Sequence, residues 1–233
     1  MLTAIALLLC AVLPAAAKSY DKAAVIAGTP VHYKLVLPKT YDENKEYPAI
    51  LAFPPGAQDG AIVQTTVAGN WQAEAEKRGY IVIVPSAPLG RLFYQEGARV
   101  FPAFLEQMLR EYKIRGGKFH IAGMSNGGIS AFFIAAAYPR YFVSITGFPG
   151  YLPDPTPERI QAISGMCIDM YVGERDSGWR TQMKQQADEF RARGLHVEFS
   201  VEKGQDHVMT TLTGEGAARL FTMIEKFPQG CSQ

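Results

Sequence analysis

The chain has 233 residues, 48% of them hydrophobic, and its 23 basic and 22 acidic side chains leave a formal net charge of +1. That is enough chain for one core of ordinary size. It contains no basic run, aromatic-basic interleaving or charge block of the kind that addresses nucleic acid or an anionic membrane. The expected partner is therefore a small or neutral molecule. The sequence lacks a Cys-x-x-Cys or His-x-x-x-His spacing, so no metal is expected.

Residues 1–17 form an uncharged Leu/Ala-rich run that closes on Ala15-Ala16-Ala17 just before Lys18. This is the pattern of a secretory signal and its cleavage site, and the run is short for a membrane span. The expectation is a secreted or periplasmic protein without stable membrane insertion, whose single domain spans residues 18–233. Of the three cysteines, Cys10 would leave with the signal. Cys167 and Cys231 remain as a candidate pair in an oxidising compartment.

Strand-like and helix-like segments alternate along the rest of the chain, which predicts an α/β fold with a central, mostly parallel sheet flanked by helices and no large cap domain. Val31 to Leu37 alternates as a strand, and Pro48 to Phe53 reads as a buried strand ending at Pro54-Pro55-Gly56. Asn70 is placed to cap a helix that runs to Arg78 and stops at Gly79, before an apolar strand over Tyr80 to Val84. Arg99 to Tyr112 reads as an amphipathic helix with Phe101, Phe104, Leu105, Met108 and Tyr112 on one face. Lys118 to Ala122 is a short strand, Ile129 to Ala137 a helix and Phe142 to Thr146 a strand. A proline-rich loop then leads to a strand over Ile168 to Val172, a helix over Trp179 to Arg193, a strand over Val197 to Val201 and a last helix over Glu215 to Phe227.

Between the strand at Lys118 and the helix at Ile129 lies Gly123-Met124-Ser125-Asn126-Gly127-Gly128. A serine flanked by glycines two positions away, on a tight strand-to-helix turn, is a nucleophile elbow: the strained turn leaves no room for side chains at either flank. The helix that follows offers free N–H groups to a developing oxyanion. A serine hydroxyl needs a base, and the base needs an orienting carboxylate. Among four histidines, His32, His120 and His196 fall in or at the start of strands, whereas His207 sits in a loop after the last strand. Asp176 follows the strand ending near Gly173, with Glu174 as the reserve candidate, so Ser125, Asp176 and His207 occur in the order used by such folds. The oxyanion donors would be the N–H of Asn126 and one from Ala57 or Gln58, since Pro54 and Pro55 have none. Met124, Tyr151 and Trp179 are candidate substrate-wall residues, with Phe93 and Tyr94 as further ones.

On these motifs, and on Tyr33-Lys34-Leu35-Val36-Leu37-Pro38, Tyr47-Pro48-Ala49-Ile50 and Asp206-His207, nearly the whole mature chain resembles the α/β-hydrolases. Within them it is similar to the polyhydroxybutyrate depolymerase and feruloyl or acetylxylan esterase family, and to dienelactone hydrolase-like carboxylesterases. The resemblance implies a serine hydrolase without cofactor that acts on a small-molecule or polymer ester. It departs from that family at Pro55-Gly56, where His-Gly is usual. Only about 21 residues separate the strand ending at Thr146 from the one beginning at Ile168, and four of them are proline. That predicts an open site without a lid, suited to short-chain or aromatic acyl groups. The competing readings are a serine peptidase of the same fold, without its usual extra domains, and a non-catalytic binding protein on the same scaffold.

Overall fold

The computed structural model describes residues 19–226 together with 228, 230 and 231. The signal-like segment over residues 1–17 and Cys10 lie outside the described residues. Among the described residues eight strands form one sheet: β1 (Ser19–Ile26), β2 (Thr29–Val36), β3 (Ala49–Phe53), β4 (Ile81–Pro85), β5 (Phe119–Gly123), β6 (Phe142–Gly147), β7 (Cys167–Gly173) and β8 (Val197–Glu202). Their spatial order is β1-β2-β4-β3-β5-β6-β7-β8. The pairs β1/β2 and β2/β4 are antiparallel, and every other pair is parallel. The order reverses between β3 and β5, and in open α/β sheets the crevice beyond the strand ends at such a reversal is where ligands bind.

The helices are α1 (Gly60–Thr66), α2 (Gln72–Arg78), α3 (Ala103–Glu111), α4 (Asn126–Ala137), α5 (Pro157–Ala162), α6 (Ser177–Ala192) and α7 (Thr222–Lys226). Successive residues of a strand point to opposite faces, so apolar runs feed two cores. Leu51, Phe53, Ile121, Ile168 and Met170 pack with Phe104 of α3, Phe132 of α4 and Phe190 of α6. Ile50, Ala52, Ala122 and Tyr171 face the other way, against Val63, Trp71, Leu220 and Phe221.

Several boundaries differ from expectation. The edge strand β1 is one the sequence reading lacked: its first residues are exposed and polar, and it exists by pairing along its whole length with β2. Asn70 caps no helix. Asp59 does, accepting from the Ile62 N–H at 3.0 Å, and the helical run continues from Gly60 through a wide turn at Val67–Trp71 into α2. The buried Asn70 amide instead donates to the Leu212 carbonyl at 2.9 Å. The helix expected from Arg99 starts only at Ala103, because Pro102 precedes it and residues Glu96–Val100 wind as a 3-10 turn. The proline-rich loop contains α5, whose first residue is Pro157 and whose cap is Thr156. Most of the expected last helix is a 3-10 segment, Gly214–Phe221. Cys167, at the start of β7, is bonded to Cys231, 64 positions away, so the tail is tied to the sheet.

Candidate active site

The strand β5 delivers Ser125 to the turn before α4 with φ +56° and ψ −121°. Few non-glycine residues adopt a positive φ without surrounding structure to hold it. Two close approaches hold it here. A Cβ on Gly123 would stand 2.1 Å from the Gly127 carbonyl oxygen, and one on Gly127 would stand 2.1 Å from that of Phe53. The Ser125 N–H donates to the Pro149 carbonyl at 2.8 Å, which ties the elbow to the loop after β6.

His207 brings Nε2 to 2.8 Å from the Ser125 hydroxyl and Nδ1 to 2.6 Å from an Asp176 carboxylate oxygen. The structure thus joins the three residues into one chain of hydrogen bonds, although 82 and 31 positions separate the partners. The loops that carry them are clamped to each other. The Arg175 N–H donates to the Gln205 carbonyl at 2.9 Å, and the Glu174 N–H to that of Glu202 at 3.0 Å. Glu174, the reserve candidate for the acid, accepts from the Gly204 N–H at 2.8 Å and so braces the histidine loop. A Cβ on Gly173 would meet the Asp206 carbonyl at 2.1 Å, so the two loops can come this close only over a bare Cα. Gln205 fixes the far side: its side-chain carbonyl accepts from the Thr210 N–H and hydroxyl at 2.8 and 2.9 Å.

The loop after β3 distinguishes the two oxyanion candidates. The Gln58 N–H already donates to the Pro55 carbonyl at 3.1 Å, which corrects its candidacy as a donor. The neighbouring Ala57 N–H has no partner among the described residues. Gln58 has a different role, one its sequence position did not signal. Its fully buried amide donates to the Pro54 carbonyl at 3.2 Å and to the Ser130 hydroxyl at 3.0 Å, and it accepts from the Phe93 N–H at 3.1 Å. Ser130 in turn donates to the Asn126 carbonyl at 2.8 Å, and the Asn126 side chain donates to the Gly56 carbonyl at 2.9 Å. The two loops that flank the crevice are thereby fixed to the first turn of α4.

Among the wall candidates, Trp179 stands edge-on to His207 with ring centroids 5.0 Å apart, and Tyr151 is 5.0 Å from Trp179. Met124 is half-buried against the second core. The Tyr94 hydroxyl donates to Asn126 at 3.4 Å. Phe93 is fully buried against Phe53 and Phe101, so it is core rather than wall.

No family model matches the chain. Dipeptidyl-peptidase 5 of Porphyromonas gingivalis is 27% identical over 128 residues, which are 50% of this chain and 19% of that protein, so the chain spans under a fifth of that curated relative. A thermostable esterase superposes with a TM-score of 0.65 at 16% identity, over 80% of this chain and 54% of its own. A serine-to-alanine mutant of the feruloyl esterase module from Clostridium thermocellum, complexed with sinapinate, superposes with a TM-score of 0.65 at 17% identity, over 84% of this chain and 83% of its own. The fold is that of the α/β-hydrolases.

Proposed function

We propose that this chain is a serine-dependent carboxylic ester hydrolase. The observation that carries the reading is the hydrogen-bonded chain from Ser125 through His207 to Asp176 at a strained elbow, on a fold it shares with esterases. In the reaction, His207 Nε2 takes the hydroxyl proton as Ser125 Oγ attacks the ester carbonyl. Asp176 fixes the imidazole with its Nδ1–H pointing inward and stabilises the imidazolium. The carbonyl oxygen becomes negative and faces the N–H groups of Asn126 and Ala57. As the tetrahedral intermediate collapses, the imidazolium gives its proton to the departing alcohol and leaves an acyl group on Ser125. Water activated by His207 then releases the acid.

The proline-rich stretch from Pro149 to Pro157 holds no long amphipathic segment, so the site is open and suited to short or aromatic acyl groups on soluble or exposed polymeric esters. The signal-like residues 1–17 and the Cys167–Cys231 bond support a secreted or periplasmic location. The test is kcat/KM along p-nitrophenyl esters of rising acyl length, with organophosphate labelling mapped by mass spectrometry. A peak at or below about six carbons is expected, since each buried methylene adds roughly 0.8 kcal/mol only while there is apolar wall to meet it. The label should fall on Ser125. Labelling elsewhere, or activity that climbs into long chains, overturns the reading. The match to a dipeptidyl-peptidase favours one second reading, a peptidase. A panel of peptide anilides cleaved faster than any ester would establish it.

A further inference from the structure

The peptide plane that joins Gly56 to Ala57 carries both the Ala57 N–H and the Gly56 carbonyl, and because the bond is trans the two point in opposite directions. Whatever holds the carbonyl therefore aims the N–H. Among the described residues the carbonyl is held by the Asn126 side chain, whose Nδ2 donates to it at 2.9 Å. A carbonyl can only accept, which fixes the orientation of the Asn126 amide and turns its oxygen toward the Tyr94 hydroxyl, 3.4 Å away.

The loop needs such a tie. Gly56 has φ +60° and no side chain to resist rotation of the plane, and Pro54 and Pro55 before it have no N–H with which to anchor this stretch. On the other flank Gln58 also has a positive φ, +57°, but its buried amide makes three hydrogen bonds and its carbonyl accepts from the Ala87 N–H at 2.7 Å. Ala57 thus lies between a residue pinned into the core and a glycine pinned through Asn126. A half-turn of the plane would put the Gly56 carbonyl where the Ala57 N–H now is and set oxygen against a developing oxyanion.

Asn126 also offers the other donor: its backbone N–H, like that of Ala57, has no partner among the described residues. We infer that the Asn126 side chain is a positioning group for the oxyanion site, so that one residue gives the first N–H from its backbone and holds the second on target with its amide. The hydrogen bond to the Gly56 carbonyl also polarises the peptide and makes the Ala57 N–H a stronger donor. The inference rests on the ester hydrolase reading.

Asn126→Leu keeps the backbone N–H and a side chain of similar shape while removing the hydrogen bond. With p-nitrophenyl acetate, kcat and kcat/KM should fall together by about tenfold to a hundredfold, less than the loss of a whole donor and with KM nearly unchanged, the pattern of an interaction made only in the transition state. Asn126→Ala should do the same, and it serves if leucine does not fit. The readout specific to positioning is the amide proton resonance. When phenylboronic acid adds to Ser125 as a tetrahedral adduct, the amide protons of positions 126 and 57 should both move downfield in the wild type; in the variants the first should still move and the second should not. Both shifts shrinking together would mean a loosened elbow and would overturn the inference. So would a wild-type adduct that leaves the Ala57 proton in place, or variants that keep more than half of turnover, and in each of these cases the ester hydrolase reading stands. If the wild type neither cleaves p-nitrophenyl acetate nor takes the boronate on Ser125, that reading fails and the positioning role falls with it.

Discussion

Two serine-histidine pairs among the described residues sit at the same separation. Ser125 and His207 are 2.8 Å apart at the ends of the strands, and Ser144 and His120 are 2.8 Å apart in the middle of the sheet. Their surroundings differ in every way that matters to chemistry. His207 is oriented by Asp176, and its side chain is 38% exposed. His120 is 3% exposed and has no carboxylate hydrogen-bonded to its ring among the described residues, while Ser144 is fully buried within β6. Burial, aided by the nearby Arg115 charge, pushes the His120 imidazole down to about 3, so it stays neutral. A serine-histidine contact is therefore no signature of catalysis by itself. The strained turn, the orienting acid and the access to the crevice make the difference.

The largest effect should separate the two serines. Ser125→Ala is expected to lower turnover by about 10⁶-fold with folding intact, because the three residues act as a unit. Ser144→Ala should leave turnover per folded molecule unchanged and cost about 1–3 kcal/mol of stability, since His120 loses its buried partner. Initial rates and denaturant melts on both variants check this, and a large loss of turnover in Ser144→Ala would dissolve the distinction.

Next in size is the acid. Asp176→Asn should lower kcat on the order of 10⁴-fold by releasing the histidine tautomer, whereas Glu174→Gln should act far less, since its carboxylate only braces Gly204. Equal losses in the two would mean that the clamp, and not the acid, is what the reaction needs.

The disulfide ties the C-terminal tail to the start of β7. Replacing Cys167 and Cys231 with Ala should cost about 4 kcal/mol in the chain-entropy account of a 64-position loop. Activity at temperatures well below the melt should persist, because Cys167 begins β7 whereas Asp176 follows the opposite end of that strand. Thermal melts with rate measurements on the same samples test both halves.

The smallest effect sharpens the contrast through pH. Across from His120, on the same face of the sheet, burial pushes the Asp169 carboxyl up to about 7, with Glu198 adding to the rise and Tyr171 and Arg219 opposing it. The folded state thus binds a proton that the unfolded chain has released, so Asp169 makes stability fall as pH rises from about 4 through 7. His120 does the reverse: its share is full above the unfolded value near 6.5 and is lost as pH falls toward 3. Asp169→Asn should raise the melting temperature at pH 8 and change it little at pH 4. A uniform shift at both values would remove Asp169 as the source.

The α/β class, most of the parallel strands, and the Ser125, Asp176 and His207 triplet in chain order were legible in the sequence. Local chemistry carries each of them: apolar runs bounded by turn residues, and an elbow whose glycines are demanded by backbone contact. Tertiary context decided the rest. The edge strand β1 is polar and becomes a strand only against β2. Asn70 has a capping residue's chemistry, but its amide meets the Leu212 carbonyl in a segment 142 positions later. Gln58 and Glu174 looked like candidates for the reaction and instead hold loops together. A side chain's type sets which hydrogen bonds it can make, and only the packing of distant segments determines which partner comes within 3 Å.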